Sequence, residues 1–193
     1  MGGLGMRLLL LGLLFATLYV GSLVLFPLER IQVVGTHRLS PQEVVRTLDL
    51  APGEPWLWVF PSRVSRLLAN PWVREARLEK PRPKEILIRI AERTPIARLQ
   101  NGDGLSQDGV VLPGGGQGPL VEGRGPLPVR SVIALVEAFP KARRILYTPA
   151  GFWVEGDGGR IFAPDPALLI KWAKVNAPKG TVWIYEWGVS HSP

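Results

Sequence analysis

Residues 8–28 form an uncharged, leucine-rich stretch of 21 residues, and nothing else in the chain could span a bilayer. As a helix it would be about 31 Å long, enough to cross a hydrocarbon core of roughly 30 Å. Pro27 closes the stretch and Glu29-Arg30 stops it. The layout this predicts is one anchor helix carrying one folded body. A cleaved secretory signal also starts with a positive charge and an apolar core. Such cores usually run about 7–15 residues and end in small-x-small. Here the core is longer and closes on Gly21-Ser22-Leu23-Val24-Leu25-Phe26-Pro27, which favours an uncleaved anchor. Either reading exports the body. Arg30, Arg38 and Arg46 follow the anchor while only Arg7 precedes it, but long folded domains translocate largely regardless of charge. Residues 1–7 are therefore expected in the cytoplasm and the body outside.

The body contains no cysteine, which removes disulfides, thiol catalysis and cysteine metal sites together. The net charge of +7 raises the question of nucleic acid. Its lysines and arginines are spread out rather than gathered into a basic block with interleaved aromatics. A solvated basic surface beside an anionic membrane accounts for them, with no nucleic-acid partner.

The first stretch after the anchor reads strand, helix, helix, strand, strand. Ile31 to Gly35 is a short β-rich run closed by glycine. Ser40-Pro41-Gln42-Glu43 combines an N-cap, a first-position proline and a capping-box acid. Val44, Val45 and Leu48 then share a helix face. Pro52-Gly53-Glu54-Pro55 breaks the chain, and a second short helix puts Val64, Leu67 and Leu68 on one face before Asn70-Pro71. Two strands follow by β periodicity: Ala76 and Leu78 oppose Arg77 and Glu79, and Ile86, Ile88 and Ile90 oppose Leu87, Arg89 and Ala91. Two helices on one face of a small sheet follow.

These residues resemble the POTRA (polypeptide-transport-associated) module. The resemblance rests on Ile31-x-Val33-x-Gly35, on Asn70-Pro71-Trp72-Val73, and on Pro83 to Ala97. The last stretch fits the pattern P-x-x-[LI]-x-[IV]-x-[IV]-x-E-R-x-P-x-A throughout. Glu92 shares the parity of the three isoleucines, so a continuing strand would aim it at the core. A buried lone carboxylate is costly, so either the strand ends near Ala91 or Glu92 is paired.

Beyond Pro95 the pattern is β-rich with two helices. Ile96–Leu99 and Leu105–Leu112 read as strands, the second folded about Asp108-Gly109. Gly114-Gly115-Gly116-Gln117-Gly118 lacks the Gly-Lys-Ser/Thr ending of a phosphate loop and reads as a flexible surface loop. Val132, Ile133, Val136 and Phe139 mark a helix ended by Pro140. Strands are expected at Ile145–Thr148, Phe152–Glu155 and Arg160–Ala163. Asp165-Pro166 opens a second helix with Leu168, Leu169, Trp172 and Val175 inward. A turn at Pro178-Lys179-Gly180 leads to a last strand, Thr181–Trp187. Placed after a POTRA-like unit, this half is similar to the β domain of the FtsQ/DivIB family of bacterial cell-division proteins. Leu105 to Leu112 carries the likeness best. The family's D-[LV]-R-like strand after the last helix is replaced here by Trp183-Ile184-Tyr185-Glu186-Trp187.

No catalytic constellation emerges. His37 and His191 have no ligand-spaced partners, and no nucleophile elbow, zincin helix or nucleotide fingerprint is present. Asp103, Asp108 and Asp157 each sit close to glycine, where turns account for them. Catalytic, cofactor-binding and metal-binding residues are all expected to be absent, as is a small-molecule substrate. The seven tryptophans raise sugar stacking as a competing idea, but Trp72 and Trp172 fall in core-like register.

The expectation is an α+β protein: tail 1–7, transmembrane helix 8–28, POTRA domain 29–94 and FtsQ-type β domain 95–193. The resemblance implies a non-catalytic, single-pass scaffold of the divisome in the plasma (inner) membrane, concentrated at the division site. Its implied partners are FtsB/DivIC-like and FtsL-like membrane proteins. The alternative is a POTRA-type chaperone or docking module of a secretion or outer-membrane assembly system, which usually carries a barrel or a POTRA array. Partner binding is expected along Thr181, Val182, Trp183, Ile184, Tyr185, Glu186 and Trp187, read as an uncovered sheet edge with one aromatic face.

Overall fold

The computed structural model describes residues 2–173 and 180–192. Val175 and the expected turn residues Pro178 and Lys179 lie outside them. The chain divides into two compact units, Met1–Arg93 and Thr94–Pro193.

Helix α1, Gly2–Leu25, opens the first unit. It ends three residues before the predicted boundary, because Phe26 to Leu28 pair with the loop that follows α2. Leu28 donates its N–H to the Glu54 carbonyl at 2.7 Å, and Trp56 donates to Phe26 at 3.0 Å. Leu28 is buried with the core of the unit and is no part of the anchor. Strand β1, Arg30–Val34, and helix α2, Pro41–Thr47, follow. Ser40 caps α2 as predicted, its Oγ accepting from the Glu43 N–H at 3.2 Å. Val44 and Leu48 face the core.

The second helix is a 3₁₀ helix, Pro61–Ala69, preceded by a 3₁₀ turn at Trp56–Trp58. That winding corrects one expectation. With three residues per turn, Val64 and Leu67 share a face and Leu68 falls off it. Leu67 is buried and Leu68 is half exposed. Strands β2, Val73–Glu79, and β3, Glu85–Glu92, complete a three-stranded sheet in the order β1-β3-β2. The middle strand β3 runs parallel to β1 and antiparallel to β2. Ile86, Ile88 and Ile90 are all buried in register with the helices. Trp72, expected in the core, instead lies half-buried under the Arg38 guanidinium, 4.0 Å from its ring centre. Only glycine suits position 35: its φ is +85°, and an added Cβ would meet the Ile90 carbonyl oxygen at 2.1 Å.

The second unit is one nine-stranded sheet. Its strands are β4 Pro95–Leu99, β5 Gly104–Ser106, β6 Val111–Leu112, β7 Leu120–Gly123, β8 Ala142–Thr148, β9 Gly151–Gly156, β10 Gly159–Ala163, β11 Gly180–Tyr185 and β12 Gly188–Ser192. They stand in the order β12-β11-β10-β9-β8-β7-β4-β5-β6. Helix α3, Val129–Ala138, connects the parallel pair β7 and β8, and α4, Pro166–Ala173, lies between the parallel pair β10 and β11. Asp165 accepts the Ala167 N–H at 2.8 Å at the start of α4, as its N-cap reading requires.

Both helices pack on one face, with Val132, Leu135 and Leu169 meeting Val121, Ile145, Val154, Ile161 and Val182. Those five strand residues form one continuous row across β7 to β11.

The glycine-rich segment 114–118 departs from its sequence reading. Gly114 donates to the Asp103 carboxylate at 2.9 Å, Gly116 donates to the Gly102 carbonyl at 3.1 Å, and Gly115 is buried. A Cβ on Gly104 would lie 2.4 Å from the Gly115 oxygen. Gly104 and Gly115 let two backbones approach closely, so the segment lies on the surface at Gly114, Gln117 and Gly118 but is pinned rather than flexible.

Candidate partner-docking edge

The strand sequence Thr181–Trp187 ends earlier than expected. β11 stops at Tyr185, Glu186-Trp187 forms a two-residue turn, and the chain returns as β12. Thr181 pairs with Ser192, Val182 with His191, Trp183 with Ser190, Ile184 with Val189 and Tyr185 with Gly188. On its other side β11 pairs with β10. The expectation of an uncovered edge at residues 181–187 is therefore corrected: β11 is an interior strand, and β12 is the outer one.

The sequence concealed β12 for two physical reasons. Its turn lacks the Asn-Gly or Asp-Gly pair that announces a hairpin. Gly-Val-Ser-His-Ser also lacks apolar alternation, because every residue of β12 is exposed and none needs to enter the core. The signal that could have found it was Gly188 directly after an aromatic strand.

Residue parity divides β11 between the sheet's two faces. Val182 and Ile184 are buried on the helix side. Trp183, Tyr185 and Thr181 point to the opposite face, where each is partly exposed. There the row continues through residues that sequence reading left unassigned. Trp183 stands opposite Phe162, Phe162 opposite Trp153, and Trp153 opposite Leu146. The Trp153 and Phe162 ring centres are 5.0 Å apart, Trp153 and Trp183 6.2 Å, and Phe162 and Tyr185 6.3 Å. Trp187 stacks on Tyr185 at 5.0 Å with 9° between the planes, yet it is 84% exposed. The Arg160 guanidinium covers the outer side of Trp153 at 5.1 Å. Glu186 projects into solvent.

An outer strand has one row of backbone donors and acceptors without strand partners. Counted from the two-residue turn, Tyr185 and Gly188 form the hydrogen-bonded kind of pair, and the kinds alternate along the hairpin. Val189 and His191 then turn their N–H groups outward. Peptide-like edge pairing joined to an aromatic face is chemistry for binding an extended protein segment.

The remaining sequence-marked residues lie elsewhere. Glu92 is the last residue of β3, and its carboxylate accepts the N–H groups of Arg38 and Leu39, both at 2.9 Å. Burial pushes its pKa up, but those backbone donors, with His37 beside them, pull it further down, leaving the carboxyl below its ordinary value. It is thus paired, the second of the two alternatives. Among the described residues no three His, Cys, Asp or Glu side chains converge to hold a metal.

Comparison with known proteins finds similarity to one family. Residues 26–93 match the family described as POTRA domain, FtsQ-type. The chain is 31% identical over 159 residues to cell division protein FtsQ of Syntrophotalea carbinolica, covering 72% of this chain and 50% of that protein. With FtsQ of Chloroflexus aurantiacus it shares 31% identity over 124 residues, 64% of this chain and 43% of the relative. With FtsQ of Streptomyces coelicolor the figures are 34% over 77 residues, 39% and 29%. The chain spans about half the length of the first of these relatives and less of the others.

Proposed function

Because residues 26–93 belong to the FtsQ-type POTRA family, in a chain similar to FtsQ over most of its length, we propose a non-catalytic, membrane-anchored scaffold of the bacterial divisome. Its α1 helix, apolar over Gly5–Leu25, holds the chain in the plasma membrane with the N-terminus cytoplasmic and everything after the helix outside. Partner binding belongs to the β11–β12 end of the large sheet, where β12 pairs with an extended segment of an FtsB/DivIC-like protein, itself bound to an FtsL-like one. Trp183, Tyr185 and Trp187 supply the side-chain contacts beside that strand. The two-domain division at 94/95 is part of the same proposal, the first unit acting as mount and the second as docking plate.

The observation that carries the reading is that every residue of β12 is exposed while the strand is flanked by an aromatic face. A proline at Ile184 would break an interior strand, so the edge is tested instead at His191. His191→Pro removes one outward N–H without touching the buried row. It is expected to abolish binding of the partner's extracytoplasmic segment, measured by titration calorimetry, while amide exchange in β7 to β11 stays protected. Unchanged binding to that variant sinks strand addition at β12. In cells, a fluorescent fusion is expected as a band at midcell, and an even envelope signal would remove the divisome reading.

A further inference from the structure

Three features of the first unit converge on one surface that the docking edge does not use. The run Trp56-Leu57-Trp58-Val59-Phe60 is held from within by Val59, which is 1% exposed in the unit's core. Trp58 reaches the anchor helix: its ring stands 6.3 Å from Phe15 and 5.7 Å from Tyr19, both edge-on. On either side, Leu57 and Phe60 point away from the protein, 48% and 54% exposed.

The length of α1 turns this contact into a statement about depth. The apolar span is Gly5–Leu25, 21 residues, which as a helix only just matches a bilayer core of about 30 Å. Tyr19 and Phe15 lie six and ten residues before Leu25, or about 9 and 15 Å along the axis. If the helix segment touching Trp58 stood above the membrane, only residues 5–14 would remain inside, about 15 Å of helix for a core twice as thick. The loop must therefore enter the lipid beside the helix. Ser22 agrees with a helix docked along this length: it is 3% exposed, which a lone helix would not achieve. Lys80 fits the water boundary, its ammonium donating to the Trp56 carbonyl at 2.7 Å and lying 4.6 Å from the Trp56 ring centre. Aromatic rings with a cationic tip beside them are the side chains that favour the membrane interface.

We propose that Leu57, Trp58 and Phe60 insert into the outer leaflet against α1, so that the first unit is seated on the bilayer rather than tethered above it. The occupant of this surface is lipid acyl chain. The proposal rests on α1 spanning the membrane, and the test separates the two.

The chain has no cysteine, so single cysteines can be introduced into the full-length protein and labelled with a fluorophore. Leu57→Cys and Phe60→Cys report on the loop, Leu13→Cys on the span, and Val34→Cys, at the far end of β1, on water. All four positions are exposed, so the substitutions leave the core intact. In nanodiscs of phosphatidylcholine and phosphatidylglycerol with nitroxide-labelled acyl chains, the Leu13 and both loop labels should lose most of their fluorescence. The Val34 label should keep it. A quenched Leu13 label with unquenched loop labels overturns the seating while leaving the anchor in place. Loss of quenching at all positions overturns both.

Discussion

The two units differ in how far their side-chain-to-backbone bonds reach along the chain. In the first, side chains tie loops to strands. The Glu92 carboxylate holds the backbone after β1, Arg93 donates to the Pro71 carbonyl at 2.8 Å and the Val73 carbonyl at 2.6 Å, and the Trp56 indole donates to the Glu85 carbonyl at 2.8 Å. Both units pair surface charges side chain to side chain, but in the second the bonds between side chain and backbone are mostly local, as where Ser106 donates to the Val110 carbonyl and Asp103 accepts from Gly114. Arg144 donates from Nε to Glu122 at 2.9 Å and lies 3.6 Å from Glu155. Sheet size accounts for the difference. Three strands cannot satisfy the backbone of long connecting loops, and a small unit buries too little apolar surface to fix them by packing alone. Nine strands satisfy one another along their lengths, leaving the side chains of the uncovered face free for other roles.

The contrast predicts where substitutions will hurt. The largest effect is expected at Arg93. Arg93→Ala leaves two carbonyls that had accepted from a charged donor, and such bonds are worth about 1.5–3 kcal/mol. Faster amide exchange confined to β2, β3 and the Asn70-Pro71 turn is the expected signature, with the second unit unaffected. Exchange that rises equally in both units would break the distinction between them.

Acid should find the same weak point. The carboxyl of Glu92 is held below its ordinary value in the folded chain. Its contribution is therefore complete above the unfolded value and is lost as pH falls through the lower, folded one. The first unit should lose protection in that range by about 1 kcal/mol, the scale of one net hydrogen bond. Glu92→Gln should flatten this dependence while costing stability at neutral pH. A wild-type profile identical to that of the variant would remove Glu92 from the account.

The same contrast explains which parts of the fold could be read from sequence. Glu92, Arg93, Asn70 and Gly35 are individually required by loop-to-strand bonds or by a close backbone approach, so the first unit announces itself in fixed residues at fixed spacings. Ser40-Pro41 and Asp165-Pro166 were readable for a similar reason, since a helix start needs a side-chain acceptor at one position. In the second unit the backbone does the pairing, and many side chains satisfy β11 equally well. The strand was visible as alternation, and so was β10 beside it; β12 and the order of pairing were not. Pairing between β11 and β12 depends on a turn with no signature residues and on a strand with no buried face. The aromatic row through Trp153 and Phe162 stayed hidden because strand order, not sequence spacing, brings those rings beside Trp183. Gly114, Gly115, Gly116 and Gly118 misled because close packing and flexibility ask for the same residue.

The smallest effect is expected on the open face of the large sheet. Arg144 holds Glu122 and approaches Glu155, and its pKa is raised by the bond to Glu122. Yet its side chain is 41% exposed, and solvent screens pairs of that kind. No strand depends on it, since the pairing of β7 with β8 is made by the backbone. Arg144→Ala should therefore destabilise the second unit by no more than about 1 kcal/mol, and the difference should shrink in high salt. Urea unfolding followed by tryptophan fluorescence, at low and high ionic strength, measures both. If the loss matched that of Arg93→Ala, side-chain ties would be as necessary in nine strands as in three, and sheet size would no longer explain how the two units differ.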